Sequence, residues 1–210
     1  MIVIINQLEY LVLNKLKDMK TINTILALIC IISAFSCKSQ TYPLNTDYDN
    51  IPNYSYLKDL NNELNPYIGT YKANFQGKEI LLYVVKEENK LVDRIDKKFY
   101  RDVLSIRYIV KGPSGNILQD TKNMTFQSDQ IRYTIYSMRT RPDIGDLTLS
   151  YGGTNCGVGS GKIILKKINI TQISWEYRPN DTILDSGRCP AGTDITIYLP
   201  ETKDLIFTKQ

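Results

Sequence analysis

Residues 102–111 read DVLSIRYIVK and run directly into Gly112-Pro113-Ser114-Gly115. Val, Leu, Ile and Tyr crowd the first stretch, and such side chains suit the pleated, half-buried surface of a sheet. The Gly and Pro that follow force a reversal, so residues 116–120 are expected to return as a short strand. Working outward, residues 79–86 (EILLYVVK) form another strongly β-forming run. A polar turn is expected over Glu87-Glu88-Asn89-Lys90, then a further strand over 91–95. Before them, residues 69–74 precede a turn at Phe75-Gln76-Gly77-Lys78. Downstream, residues 130–139 alternate Ile131, Tyr133 and Ile135 against Arg132, Thr134 and Tyr136, the period of a strand. Residues 146–151, 162–169, 171–177, 194–199 and 205–208 complete the set.

About ten short strands at spacings of roughly 8–15 residues predict a mainly β fold, a single antiparallel barrel or sandwich. Short hairpins make a meander the simplest topology. One short helix is expected ahead of the strands. Leu57, Leu60 and Leu64 fall on one helical face, Ser55 can cap it, and Asn65-Pro66 ends it. The β-rich domain thus occupies residues 55–210.

The start of the chain reads as an address. Lys20 is a short basic region after Met19, and residues 22–35 are apolar over a length suited to a signal peptide. That run is short for a membrane span, which needs roughly 20 apolar residues. Residues 19–36 are therefore expected to be a signal peptide, with Met19 as the start and residues 1–18 as a spurious upstream extension; an uncleaved anchor helix is the rival reading. The run closes Ser33-Ala34-Phe35-Ser36-Cys37, so Cys37 is expected to be lipidated after cleavage before it. Acyl chains would then hold the protein to a membrane at about 0.8 kcal/mol per buried methylene. Ordinary cleavage nearby, after Gln40, is the alternative. Residues 37–54, rich in Asn, Asp and Tyr, are expected to be a polar tether.

Of the four cysteines, Cys30 is expected to leave with the signal peptide, and Cys37 to be lipidated or removed. Cys156 and Cys189 remain, each beside turn residues, in an oxidising compartment. They are expected to form a disulfide, stabilising by about 3–4 kcal/mol through the loop it closes. They lie too far apart in sequence for a C-x-x-C redox motif.

Composition narrows the chemistry. There is no histidine, which removes Ser-His-Asp triads, Cys-His pairs and His-based zinc sites. The net charge of +4, from 26 basic and 22 acidic residues, comes without a basic run, so no nucleic-acid partner is expected. The glycine-rich stretch 152–162 fails as a phosphate loop: Cys156 stands where a Gly is needed and Ile163 where Ser or Thr is. The pairs Asp93 with Asp96, Asp143 with Asp146 and Asp181 with Asp185 could in principle flank a glycosidic bond. They sit beside Pro142, Gly145, Pro179 and Gly187, however, where Asp serves turns. The spacing of a calcium loop is absent. Trp175, Tyr177 and Ile173 share a strand face and read as core. Arg132, Arg139 and Arg141 could hold an anion or form a solvated edge. No catalytic residue, metal or cofactor is expected.

The stretch from Asp59 to Lys86, with Gly69-Thr70-Tyr71 in the place of a Gly-x-Trp strand, resembles the opening of lipocalin-like barrels. The Cys37-Lys38-Ser39-Gln40 end and the stretch 41–74 resemble an uncharacterised family of Bacteroidota secreted proteins and lipoproteins, a domain of unknown function. That resemblance implies the cell envelope and transfers no functional residues. The expected role is a non-enzymatic binding or interaction module, lipid-anchored on the periplasmic or outer-membrane face, otherwise secreted. Its partner would be a small apolar ligand inside the barrel, a glycan or a protein. A carboxylate-based polysaccharide hydrolase and a structural or toxin-immunity protein are the alternatives.

Overall fold

The computed structural model describes residues 40–127, 129–187 and 189–210. The expected signal peptide and Cys37 lie outside them. Eleven strands follow in chain order: β1 (Thr41–Pro43), β2 (Tyr56–Lys58), β3 (Gly69–Phe75), β4 (Lys78–Asp93), β5 (Lys98–Lys111), β6 (Ile117–Asp120), β7 (Ile135–Arg141), β8 (Asp146–Tyr151), β9 (Gly161–Lys167), β10 (Gln172–Pro179) and β11 (Leu205–Lys209). Eight of them, β3, β4, β5 and β7 to β11, close an antiparallel barrel in meander order, β3 and β11 meeting as neighbours. The barrel, not the sandwich, is the architecture.

Closure falls on one long strand. The edge of β5 away from β4 is shared by three partners. β2 runs parallel to its start, β7 meets it at Ser105 opposite Tyr136, and β6 pairs with its end. Hydroxyls bridge where the ladder is thin. Ser137 Oγ accepts the Leu104 amide at 2.8 Å and Thr121 Oγ1 accepts the Tyr108 amide at 2.7 Å. Buried backbone donors are almost always satisfied, and here side chains supply what the missing strand pairing does not.

The interior is filled by the inward residues of every barrel strand. Trp175, Tyr71, Tyr108, Tyr151, Phe207, Leu82 and Ile106 are all essentially inaccessible, and Ile173 and Tyr177 join them as expected. Trp175 packs on Phe207 with ring centroids 5.7 Å apart, and its indole N–H donates to the Pro200 carbonyl at 3.0 Å. The Tyr108 and Tyr151 hydroxyls meet at 3.1 Å. Five of the tyrosines, Tyr67, Tyr71, Tyr108, Tyr151 and Tyr177, thus serve the core, and the hydroxyls of all but Tyr71 are hydrogen-bonded.

Five local expectations are corrected. The helix over 57–64 does not form. Tyr56–Lys58 is strand β2, and only a 3-10 turn at Asn65–Tyr67 follows. Leu57 and Leu64 are buried in separate apolar clusters, while Leu60 is 55% exposed. Their helical spacing is coincidental, because the edge of β5 offers backbone partners that a helix could not use. The turn expected at 87–90 is a bulge inside β4. Glu87 pairs with Val103 and Lys90 with Arg101, and Asn89 takes a positive φ of 55°, which Asn tolerates better than most residues.

Residues 130–134 do not extend β7: Tyr133 has φ 65°, and the Thr134 amide bonds back to Ile131. Residues 194–199 are not a strand. In a closed barrel β10 already has β9 and β11 on its two edges, so this segment instead packs Leu199 and half-buried Ile197 against the core. The expected tether is also structured from Thr41 onward. β1 pairs with β2, and Leu44 and Ile51 are buried.

The disulfide forms as expected, Cys156 to Cys189 with Cα atoms 5.4 Å apart. It ties the irregular 180–200 segment to the 3-10 turn Asn155–Gly157, where Asn155 also donates to the Asp194 carbonyl at 2.8 Å.

Candidate functional site, a cationic groove on the outer wall

A groove of about 730 Å³ lies on the outer face of β7, β8 and β9, bounded by residues 44–48 and by the end of the β4–β5 hairpin. Each wall follows from local structure. A register shift between Ser137 and Arg139 sets the phase of β7, so that Arg139 and Arg141 are exposed while Thr140 between them is buried. Strand alternation likewise turns Thr148, Ser150 and Lys162 outward; Arg139 is opposite Thr148, and Ser150 opposite Lys162.

The 44–48 segment is fastened across this wall. Asn45 Nδ2 donates to Thr140 Oγ1 at 2.6 Å and its Oδ1 accepts the Thr140 amide at 3.2 Å. Tyr48 stacks on Phe99, with centroids 5.8 Å apart and planes 3° from parallel. Lys97 Nζ donates to the carbonyls of Tyr48, Asp49 and Ile51 at 2.7–3.1 Å, which ties this turn to the end of the β4–β5 hairpin.

The hairpin contributes Arg94 and Arg101. The Arg94 guanidinium sits 4.3 Å from the centroid of the Tyr48 ring, a cation–π contact. Arg101 is largely buried, and its Nε has no hydrogen-bond partner. Burial, with repulsion from Arg94, lowers the Arg101 guanidinium to about 10 against the pull of Asp102, so it remains charged at neutral pH. Arg141 differs, because its Nε donates to Asp146 Oδ1 at 2.7 Å and that carboxylate raises it. Arg94, Arg101, Arg139 and Lys162 therefore line the groove without a paired carboxylate among the described residues. One acid, Asp47, lines it, and its side chain accepts the Asp49 amide at 3.1 Å.

The structure thus brings Arg139 and Arg141 together and leaves Arg132 exposed in the preceding turn, away from the groove. Arg94, Arg101 and Lys162 were not legible as site residues, since they lie on strands far apart in sequence. Lys162, at the end of the rejected phosphate loop, stands on β9. The candidate carboxylate pairs do not line the groove. Asp93 pairs with Lys98 at 2.7 Å, Asp146 with Arg141, and Asp185 accepts the Gly187 amide at 2.9 Å within a turn.

A second buried polar cluster is self-contained. Asp102 is inaccessible, accepts the Asp59 amide at 2.9 Å and the Asn89 amide at 3.1 Å, and is bonded by the Tyr56 hydroxyl. Lys86 Nζ lies 3.2 Å from Asp59 and 3.9 Å from Asp102. Asp59 in turn accepts the amides of Glu63 and Leu64 at 2.7 and 3.2 Å. Burial first, then the bond to Asp102, pushes the Tyr56 phenol well above its ordinary range. These groups clamp β2 and the following turn to the barrel.

A model of a family of unknown function, DUF6705, matches residues 19–210. No curated protein and no solved structure matches the chain.

Proposed function

The chain belongs to DUF6705, and on that premise we propose that it is an exported, lipid-anchored binding module that recognises its ligand on the outer barrel wall. The observation that carries this reading is the groove, where cations from β5, β7, β9 and the β4–β5 hairpin converge without matching carboxylates. Binding sites are concave surfaces with a few polar groups placed to fix a ligand. Trp175 and five or more other large side chains occupy the interior, which favours the wall over the lumen as the recognition surface.

Export is supported by the apolar segment ending at Cys37 and by the disulfide, a bond that persists in oxidising compartments. The family match opens at Met19, the residue from which the export segment reads. A binding role, not a catalytic one, is supported by the chain's lack of histidine and by the single carboxylate lining the groove.

The test expresses the full chain with its own leader. Intact-mass analysis should find a diacylated N-terminal Cys37, and Cys37→Ala should move the protein from the membrane to the soluble fraction. Incubated with envelope polysaccharide fractions, it should bind saturably and release no new reducing ends. An unmodified Cys37 overturns the anchor, and liberated reducing ends overturn the non-enzymatic role.

A further inference from the structure

We propose that the groove is an oxyanion site, taking an organic ligand with more than one carboxylate, phosphate or sulfate group, with Arg101 as its central partner. This deepens the reading of the groove as the recognition surface and rests on it.

Elsewhere among the described residues the half-buried cations meet either a carboxylate or backbone carbonyls, the latter at Lys97, Arg107 and Lys167. Lys86 faces Asp59 and Asp102, Arg141 holds Asp146, and Glu79 lies between Lys72 and Lys111. Ser55 Oγ and Tyr71 Oη are buried without a partner, but of the three such side-chain atoms among the described residues only Arg101 Nε belongs to a charged group. Arg101 keeps a buried Nε without a partner beside a second guanidinium, Arg94, with Asp102 committed to two backbone amides and Tyr56. Buried polar groups are nearly always bonded, and a buried charge without a counter-charge is costly. A ligand oxyanion supplies what is missing, and the planar donor fork of arginine fits carboxylate and phosphate oxygens in pairs.

Arg139 on β7 and Lys162 on β9 line the strand-built part of the groove, so its cations come from separate strands and suit more than one anionic group. Thr148, Ser150 and Asn180 add neutral hydrogen-bonding groups of the kind that meet hydroxyls. A space of about 730 Å³ is far larger than an inorganic ion and falls within the range of small-molecule sites.

The test is titration calorimetry on the full-length mature protein. The probes are a uronic-acid trisaccharide, its neutral counterpart of equal size, and inorganic phosphate. The acidic trisaccharide should bind one to one, about tenfold or more tighter than the neutral one, as charge-assisted bonds imply. Arg101→Gln and the pair Arg139→Gln with Lys162→Gln should each weaken it about tenfold or more. Lys203→Gln, an exposed cation outside the groove, controls for net charge and should change it less than about twofold. Phosphate binding that matches the trisaccharide assigns the site to the free ion and overturns the organic ligand.

Stability gives an independent readout. Without ligand, Arg101→Met should melt no lower than the wild type, because it removes an uncompensated charge. A large fall would make Arg101 structural and overturn the proposal. If only the neutral sugar binds, and loses affinity on Asn180→Ala, the oxyanion assignment fails while the groove survives. If hydrogen exchange places the bound acidic sugar away from 44–48 and 138–150, both readings fail.

Discussion

Replacing Asp102 by Ala removes an acceptor from two backbone amides, those of Asp59 and Asn89, and from the Tyr56 hydroxyl. It also takes one of the two buried carboxylates away from Lys86, which is left with Asp59 at 3.2 Å. Breaking a buried, hydrogen-bonded ionic cluster from one side costs about 3–5 kcal/mol. Each buried amide left without an acceptor costs ~1–3 kcal/mol. The two figures describe overlapping losses and do not add, so about 4 kcal/mol is expected. A domain of this size loses ~2–4 °C of melting temperature per kcal/mol, which predicts a fall of roughly 8–16 °C. Asp102→Asn keeps one acceptor oxygen at the same volume and should cost less, about 2–3 kcal/mol. Urea unfolding followed by circular dichroism, with calorimetry for the melting temperature, measures both. Hydrogen exchange should show the added opening first at β2 and the bulge in β4, the two features that Asp102 holds. A variant within about 1 kcal/mol of the wild type would refute the claim that this carboxylate organises the edge of β5.

Converting Cys156 and Cys189 to Ser opens a loop with a sequence separation of 33. The loop-entropy treatment then predicts a loss of about 4 kcal/mol, checked by urea unfolding against the oxidised, disulfide-bonded wild type. Trp175→Ala should cost about 3–5 kcal/mol by leaving a cavity among Phe207, Tyr177 and their neighbours. Trp175→Phe should cost ~1–2 kcal/mol, since the Pro200 carbonyl loses its donor; circular dichroism reads both. Lys72 and Lys111 hold the Glu79 carboxyl below its usual range. A carboxylate with a lowered folded value stabilises above its unfolded pKa and stops doing so as pH falls through the folded one. Glu79→Gln should therefore be less stable than the wild type near neutrality, and the gap should close in strong acid, as denaturant titrations at the two pH values would show.

Much of the barrel was legible because its strands carry their own signal. The runs at 79–86 and 102–111 are β-forming whatever their neighbours do, and Gly112-Pro113-Ser114-Gly115 sets a reversal that β5 and β6 follow. The two cysteines of the β-rich part, Cys156 and Cys189, leave one intramolecular pairing. The errors arose where a local pattern met a partner absent from its own window. Leu57, Leu60 and Leu64 look helical until the edge of β5 claims Tyr56 and Leu57. Residues 87–90 look like a turn until Asp102, across the ladder, accepts the Asn89 amide and lets the strand continue through a bulge. Residues 194–199 look like a strand, but both edges of the neighbouring β10 are already taken by β9 and β11.

The groove was almost wholly illegible. Arg139 and Arg141 could be named as anion-holding residues, but nothing local distinguishes Arg94, Arg101 or Lys162 from the other basic side chains of a mildly cationic chain. Sequence by itself determined the class of fold, the sulfur crosslink and the core face of β10, because strand period, turn chemistry and cysteine count act over a few residues or need no geometry. Tertiary structure alone decided where the barrel closes, which carboxylates neutralise which cations and which cations are left facing one another. Coulombic and hydrogen-bonding energies depend on distances in space, and only the folded chain sets those between residues 48 and 162.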